Sequence, residues 1–267
     1  MLYIVATPIG NLKDISLRAI EVLKNVEYIL CEDTRTSLTF LNAYDIKKKL
    51  VSYHKFNETS KCESIAKDIE NGKDIALISD AGMPGISDPG AVIVRYLKER
   101  KLPYTVIPGA SALINAFVLS GYEAPFTFVG FLPEKNKDRK DLLNKLKNSE
   151  FPTIYYVSPH SINEFFDNMY NEFGNRNTCI VRELTKKFEE VSFSTLKEGY
   201  QGVVKGEFVC IIEGAKKEGL DVCEEDIIKE LDSIIKTGKT NKEAIKEICD
   251  KYNLKKNYVY SLSIKNK

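Results

Sequence analysis

The 267-residue chain is most informative at first in what it lacks. No apolar run approaches the about 18 to 20 residues that a membrane-spanning helix needs, and no charged leader with a cleavage site precedes the apolar start Leu2-Tyr3-Ile4-Val5-Ala6. A cytoplasmic, non-membrane protein is the expectation. The six cysteines form no C-x-x-C pair and only two histidines, His54 and His160, are present, so no structural zinc or other metal is expected and the thiols are read as free and buried or semi-buried. Nor is there an excess of charge: the net value of +1 does not announce a nucleic-acid partner. Any RNA contact falls to local patches, namely Lys47-Lys48-Lys49, the stretch from Lys135 to Lys147, and the region from Lys216 onward with twelve lysines against ten acids. Each patch taken alone also reads as a solvated charged face.

What is present is a rhythm. Leu2–Ala6, Tyr28–Cys31, Asp74–Ile78 and Tyr104–Ile107 are short apolar runs separated by amphipathic segments, which predicts an α/β domain with a largely parallel sheet. One such segment, Ser60 to Asn71, is expected to begin in a Ser60/Glu63 capping box and to end at Asn71-Gly72. Later strand candidates are Thr127–Gly130, Thr153–Val157, Cys179–Arg182, Val191–Ser194 and Glu207–Glu213. The last three have little helix between them, which predicts antiparallel pairing. From Asp221 onward no strand is evident: the apolar residues follow helical spacing before Gly238 and before Asn253, and a third short apolar pattern follows over Val259–Ile264. The expected organisation is therefore an N-terminal α/β domain over 1–118, a second α/β domain over 119–217, and a small helical, helix-turn-helix-like appendage over 218–267.

The densest signal is Ser79-Asp80-Ala81-Gly82-Met83-Pro84-Gly85-Ile86-Ser87-Asp88-Pro89-Gly90, which leaves the carboxyl end of a strand. Ligands of open α/β sheets bind at that edge. The loop is neither a Walker loop nor G-x-G-x-x-G, and with two aspartates and no lysine or arginine it would repel phosphate. A carboxylate amid accessible backbone suits a ligand with hydroxyls and positive charge, a description that S-adenosylmethionine satisfies. Asp88-Pro89-Gly90 reads as the cap and first turn of the helix beginning at Ala91. Two further strands end in similar punctuation, Ala6-Thr7-Pro8-Ile9-Gly10-Asn11-Leu12 and Ile107-Pro108-Gly109-Ala110-Ser111-Ala112, so three Pro/Gly loops share one sheet edge and describe a cleft.

These loops, with Cys31-Glu32-Asp33-Thr34-Arg35, Gly130-Phe131-Leu132-Pro133, Arg182-Glu183-Leu184-Thr185-Lys186 and Gly206-Glu207, closely resemble the ribosomal RNA small subunit methyltransferase I family of the tetrapyrrole methylase (class III) fold. The resemblance implies two α/β domains with S-adenosylmethionine in the cleft between them and a homodimer. It also implies methylation of the ribose 2′-oxygen of a cytidine in the decoding region of 16S rRNA, within the small ribosomal subunit. By the same resemblance the cofactor meets Pro8, Gly10, Asp80, Met83, Ser111 and Ala112 from the first domain and Val157 and Leu184 from the second. Tyr155 to Ser161 resembles a family segment that usually has Glu where Val157 stands and Arg where Ser161 stands.

Methyl transfer to a hydroxyl profits from alignment and from a general base. Glu32, Asp33 and Arg35 are the candidates: a carboxylate to take or relay the proton, and the guanidinium to hold an RNA phosphate. The alternative for this segment is a salt-bridged cap of the following helix around Thr36 and Ser37. Lys186 is a further candidate, and His54 reads more simply as structural or exposed. Two other readings stay open, a same-fold enzyme acting on a small tetrapyrrole-like molecule or a protein, and a non-catalytic ribosome-binding relative.

Overall fold

The computed structural model describes residues 1–216, 224–252 and 254–265, and it divides into two compact units, Met1–Gly214 and Ala215–Lys267. Asp221, Cys223 and Asn253, which figure in the sequence reading, lie outside the described residues.

In the first unit β1 (Leu2–Val5), α1 (Leu17–Asn25), β2 (Tyr28–Cys31), α2 (Thr34–Asn42), β3 (Lys49–Ser52), α3 (Glu58–Glu70), β4 (Ile75–Leu77), α4 (Ala91–Glu99) and β5 (Tyr104–Ile107) alternate along the chain. The strands form a parallel sheet in the order β3-β2-β4-β1-β5. Period-two alternation explains why both faces are covered. On β4, Ile75 and Leu77 pack with Ile65, Ile69, Ile93 and Leu97 of α3 and α4, whereas Ala76, with Ile78 just after the strand, packs with Ala19, Leu23 and Leu41 of α1 and α2. Because β4 and β1 are neighbours flanked by β2 and β5, the segments that follow these four strands emerge at one edge.

Helix α3 starts earlier than the Ser60/Glu63 pattern predicts. Its N-cap is Asn57, and Ser60 lies inside the first turn, where Oγ donates to the Asn57 carbonyl at 2.9 Å. The reason is tertiary: the Asn57 amide is already engaged, accepting from the His54 backbone N–H at 2.9 Å and donating to the Ser52 carbonyl at 3.3 Å, so it pins the turn after β3 and the helix begins there. The far end is as expected, with Asn71 as the C-cap and Gly72 at φ +80°.

The chain then runs through α5 (Ala112–Ser120), β6 (Thr127–Gly130), α6 (Asn136–Leu146), β7 (Thr153–Val157), α7 (Ile162–Phe173), β8 (Asn177–Arg182), β9 (Glu190–Thr195) and β10 (Phe208–Ile212). These strands order as β6-β7-β10-β8-β9; β6 and β7 are parallel, β7 and β10 are antiparallel, and β8, β9 and β10 pair antiparallel with one another as the sparse helix between them predicts. Tyr155, Ile180, Phe208 and Cys210 face α6 and α7, while Ile154, Cys179, Val209 and Ile211 face α5. The residue-118 boundary thus falls inside α5, whose buried side packs on the second sheet.

The second unit holds α8 (Glu224–Lys236), α9 (Asn241–Tyr252) and α10 (Lys256–Lys265) around its own core of Ile227, Leu231, Ile245, Ile248, Val259 and Leu262. No helix among the described residues is long and apolar enough to cross a membrane. Cys31, Cys62, Cys179 and Cys210 are buried free thiols and Cys249 is a half-buried one.

Candidate active site

Two of the three loops at the edge of the parallel sheet, those after β1 and β4, are joined to one another. Thr7 and Gly82 exchange backbone hydrogen bonds at 2.9 and 3.1 Å, and Thr7 Oγ1 donates to the Ser79 carbonyl at 3.3 Å. The loop after β4 then turns back on itself at Gly90, whose φ of +147° disfavours any residue with a side chain and where a Cβ would press on Gly85 and Leu77. This conformation overturns the expected Asp88 cap. Gly90 itself occupies the N-cap of α4 without a side-chain hydrogen bond, and Asp88 is free to face inward.

Opposite the loops stand β7, β8 and β10 of the second sheet, and the two walls enclose a cleft of about 380 Å³. Of the residues expected at the cofactor, Asp80, Met83, Ser111, Ala112, Val157 and Leu184 line it. Ser111 caps α5 without using its hydroxyl for the cap. Pro8 is buried one position before the lining residue Ile9. Gly10 is placed where the walls meet: a Cβ there would stand 2.4 Å from Lys186 Cγ and 2.7 Å from Thr185 Oγ1. The adjoining Asn11 N–H donates to Thr185 Oγ1 at 3.1 Å, which ties the first loop to the Leu184–Lys186 turn.

The expected catalytic residues separate. Asp33 is the N-cap of α2, with Oδ1 accepting from the Arg35 N–H at 2.7 Å. The Arg35 side chain is 94% exposed and stays 3.9 Å from Asp33, so it is available to an external anion. Glu32 lies near enough to Asp80 and Asp88 for the three carboxyls to feel one another. Lys186 Nζ is held by Glu183 at 2.8 Å and Glu207 at 2.9 Å. Burial alone would lower its pKa, but the two carboxylates outweigh it and raise the pKa, which makes Lys186 a strut and not a proton acceptor. His54 Nε2 stands 3.1 Å from the Asn57 amide nitrogen in the turn before α3.

Comparison with known proteins agrees with this architecture. Residues 1–199 match the profile described as Tetrapyrrole (Corrin/Porphyrin) Methylases. Among solved structures, the methyltransferase CobJ superposes with a TM-score of 0.62 at 13% identity, covering 80% of this chain and 94% of that one. Uroporphyrin-III-C-methyltransferase from Thermus thermophilus gives 0.56 at 14% identity, over 79% and 93%. Similarity at this level shows the fold alone. Sequence relatives decide the family. The ribosomal RNA small subunit methyltransferase I of Halalkalibacterium halodurans is 40% identical over 270 residues, 98% of this chain and 93% of the relative. The chain belongs to the ribosomal RNA small subunit methyltransferase I family. A shorter family relative, from Mycoplasmopsis pulmonis, is 49% identical over 214 residues, 79% of this chain and 96% of its own length.

In this family member the cleft carries an unusual charge distribution. Burial, then Glu32 and Asp80, push the Asp88 carboxyl up to about 6. Burial and Asp80 likewise raise Glu32, and burial raises Asp80 against a hydrogen bond from the Asp33 backbone. Among the described residues neither Asp80 nor Asp88 forms an ion pair, and no His/Cys/Asp/Glu group has the arrangement of a metal site. Unpaired carboxylates on one wall and Val157, Val181 and Phe208 on the other fit a methyl donor that combines positive charge and hydroxyls with an aromatic body. Asp88, Tyr156 and Phe131 are cleft residues that sequence reasoning did not single out. For Asp88 the signal was present but read locally, as a helix cap.

Proposed function

We propose that the chain transfers the methyl group of S-adenosylmethionine to the ribose 2′-oxygen of a cytidine in the decoding region of 16S rRNA, acting in the cytoplasm on the small ribosomal subunit. The observation that carries this reading is the cleft between the sheets, with Asp80 and Asp88 unpaired on one wall and apolar side chains on the other. S-adenosylmethionine supplies an electrophilic methyl group on a cationic sulfur when bound. Asp80 holds the ligand's hydroxyls or charge, Ser111 and the backbone at Ala81-Gly82 orient it, and Met83, Val157 and Leu184 exclude water. Alignment of this kind contributes about 7 to 11 kcal/mol to lowering a two-reactant barrier. The proton leaving the hydroxyl goes to an Asp88 carboxylate oxygen, whose neighbours Glu32 and Asp80 make it a stronger base than an exposed aspartate. Exposed Arg35 is placed to hold an RNA phosphate at the same edge.

The direct test is transfer of label from S-adenosylmethionine to small subunits prepared from a strain that lacks the modification. Incorporation into RNA is expected, and tight cofactor binding without any incorporation would overturn the reading. Within it, Asp80→Ala is expected to weaken cofactor binding by about tenfold or more, the loss of a charge-assisted contact, with RNA affinity unchanged. Calorimetric titration showing wild-type cofactor affinity would contradict the role of Asp80.

The second unit serves in this proposal as an RNA-docking element. Helix α10 contains no acidic residue and exposes Tyr258 and Tyr260 beside Lys255 and Lys256, a basic and aromatic surface suited to a phosphate backbone and unpaired bases. Combining Lys255→Glu with Lys256→Glu is expected to raise KM for subunits about tenfold at unchanged kcat and to lower the salt dependence of binding. An unaltered KM would remove the claim.

A homodimer completes the proposal. Helix α5 is apolar nearly all round, and its side away from the second sheet leaves Ile114, Val118 and Leu119 exposed, Val118 to 73%. Edge strand β5 exposes Tyr104 and Val106, and a patch of this kind marks an interface. Val118→Glu is expected to shift sedimentation from dimer to monomer. An unchanged sedimentation coefficient would place the interface elsewhere.

A further inference from the structure

Beside the cleft, on the other side of Val157 and Ser158, the second sheet and its helices form another cavity of about 550 Å³. The two share Phe131, Tyr156, Val157 and Ser158 as a common wall. This second cavity has an unusual composition for a space between packed helices. Phe131 stands at its mouth 59% exposed, touching Tyr156 edge-on with ring centroids 5.6 Å apart. Its polar lining is Arg139 from α6, with a side chain 17% exposed, Asn168 from α7, and at the solvent-open rim Glu164 from α7, with a side chain 64% exposed.

The polar groups are incompletely used. Arg139 Nη2 lies 3.2 Å from Glu164 Oε1, while Nη1 reaches the carbonyls of Pro133 and Glu134 only at 3.5 Å. Its Nε is buried and has no hydrogen-bond partner. A desolvated guanidinium N–H without an acceptor costs stability, so its retention points to a ligand that supplies one. Glu164 Oε1 also receives Asn168 Nδ2 at 3.4 Å, and among the described residues Oε2 accepts no bond. An open donor edge therefore stands next to an open carboxylate acceptor, with an aromatic face beside them.

That set matches one kind of ligand, a flat heterocycle that presents ring acceptors next to an amino donor. Single-stranded RNA bases are recognised by stacking on aromatic side chains and by hydrogen bonds to their Watson–Crick edge. Cytosine offers N3 and O2 to a guanidinium and its N4 amino group to a carboxylate; uracil lacks the amino group and has no donor to give at that position. A ribose at the shared wall would place its own base on the far side of Val157 and Ser158 from the methyl donor.

We infer that this second cavity receives the base of the nucleotide being methylated, turned out of the RNA, with Phe131 stacking on it and Arg139 and Glu164 reading its edge. The inference rests on the RNA reading of the cleft and adds to it the element that selects the base. Turning a base out of its stack costs a few kcal/mol, and the cavity's contacts offset it.

The test uses the full chain and unmodified small subunits, together with subunits carrying uridine at the labelled position. Glu164→Gln keeps the shape and removes the carboxylate, and Arg139→Lys keeps the charge and removes the Nε–H. Each is expected to lower kcat/KM for the cytidine substrate by about tenfold or more and to shrink the cytidine-over-uridine preference by a similar factor, with cofactor affinity and melting temperature at wild-type values. Wild-type transfer to RNA with both variants retaining full rate and preference overturns this inference and leaves the proposed function standing. Loss of cofactor affinity in both variants also overturns it, by making the cavity part of the cofactor cleft. No transfer to RNA by the wild type overturns the function and the inference together.

Discussion

Asp88→Asn is expected to lower methyl transfer to RNA by about 10²- to 10⁴-fold, the range for removal of a general base, while leaving cofactor and RNA affinity within a few-fold of wild type. The base must be ionised to accept a proton. The wild-type rate should therefore rise with pH through about 6, where burial and the Glu32 and Asp80 carboxylates place the Asp88 pKa, and the residual rate of the variant should lose that step. Stability moves the other way. A carboxyl whose folded pKa is raised binds its proton more tightly in the folded state, so the folded protein loses stability as pH rises from about 4 through 6. Asparagine removes that penalty. The variant should melt above wild type at pH 7.5 by an amount on the order of 1 kcal/mol, discounted for the solvent that reaches the group, and the difference should close near pH 4. An inactive but stabilised variant is the signature of a group retained for chemistry. Wild-type rates with the same pH profile would contradict the assignment.

Gly90→Ala is expected to cost about 3 kcal/mol and to lower the melting temperature by roughly 10 °C. Two terms add. The backbone at φ +147° and ψ −32° belongs to glycine alone, and the new Cβ would lie 3.2 Å from both Gly85 N and Leu77 Cδ2. Leu77 is a buried core residue on β4, so relief of the contact must come from the loop. Because that loop carries Asp80, Met83 and Asp88, cofactor affinity should fall with stability. Thermal unfolding and calorimetric titration read the two effects. A melting temperature within a degree of wild type would show that the turn at Gly90 is not strained.

Those two residues also show what local sequence reasoning reads and what it misses. The parallel strands are legible because their apolar runs are short and bounded by turn residues, and the loops at their carboxyl ends are legible because prolines and glycines cluster there. The family resemblance rests on those same loops. Asp88-Pro89-Gly90 has the local form of a helix start, and the rule fails because the loop folds back against Gly85, which moves the cap to Gly90 and turns Asp88 into the cleft. Ser60 fails in the same way, since Asn57 is engaged by the turn after β3 and draws the N-cap three residues earlier. Lys186 reads as a cleft lysine until Glu183 and Glu207 are seen to hold its ammonium. The far wall is the hardest part to read. Tyr156 looks like an ordinary strand residue, and only the packing of the second sheet brings it beside the first-domain loops; Arg139 looks like an ordinary helix residue, and only the same packing brings it to the second cavity.

The chemical form of the transferred methyl group tests the central claim most directly. Small subunits labelled by the full chain with isotopic S-adenosylmethionine are digested to nucleosides and separated. Label recovered as 2′-O-methylcytidine from a single rRNA position is the predicted result, and label carried on a base, on ribosomal protein, or scattered over many ribose positions would contradict it.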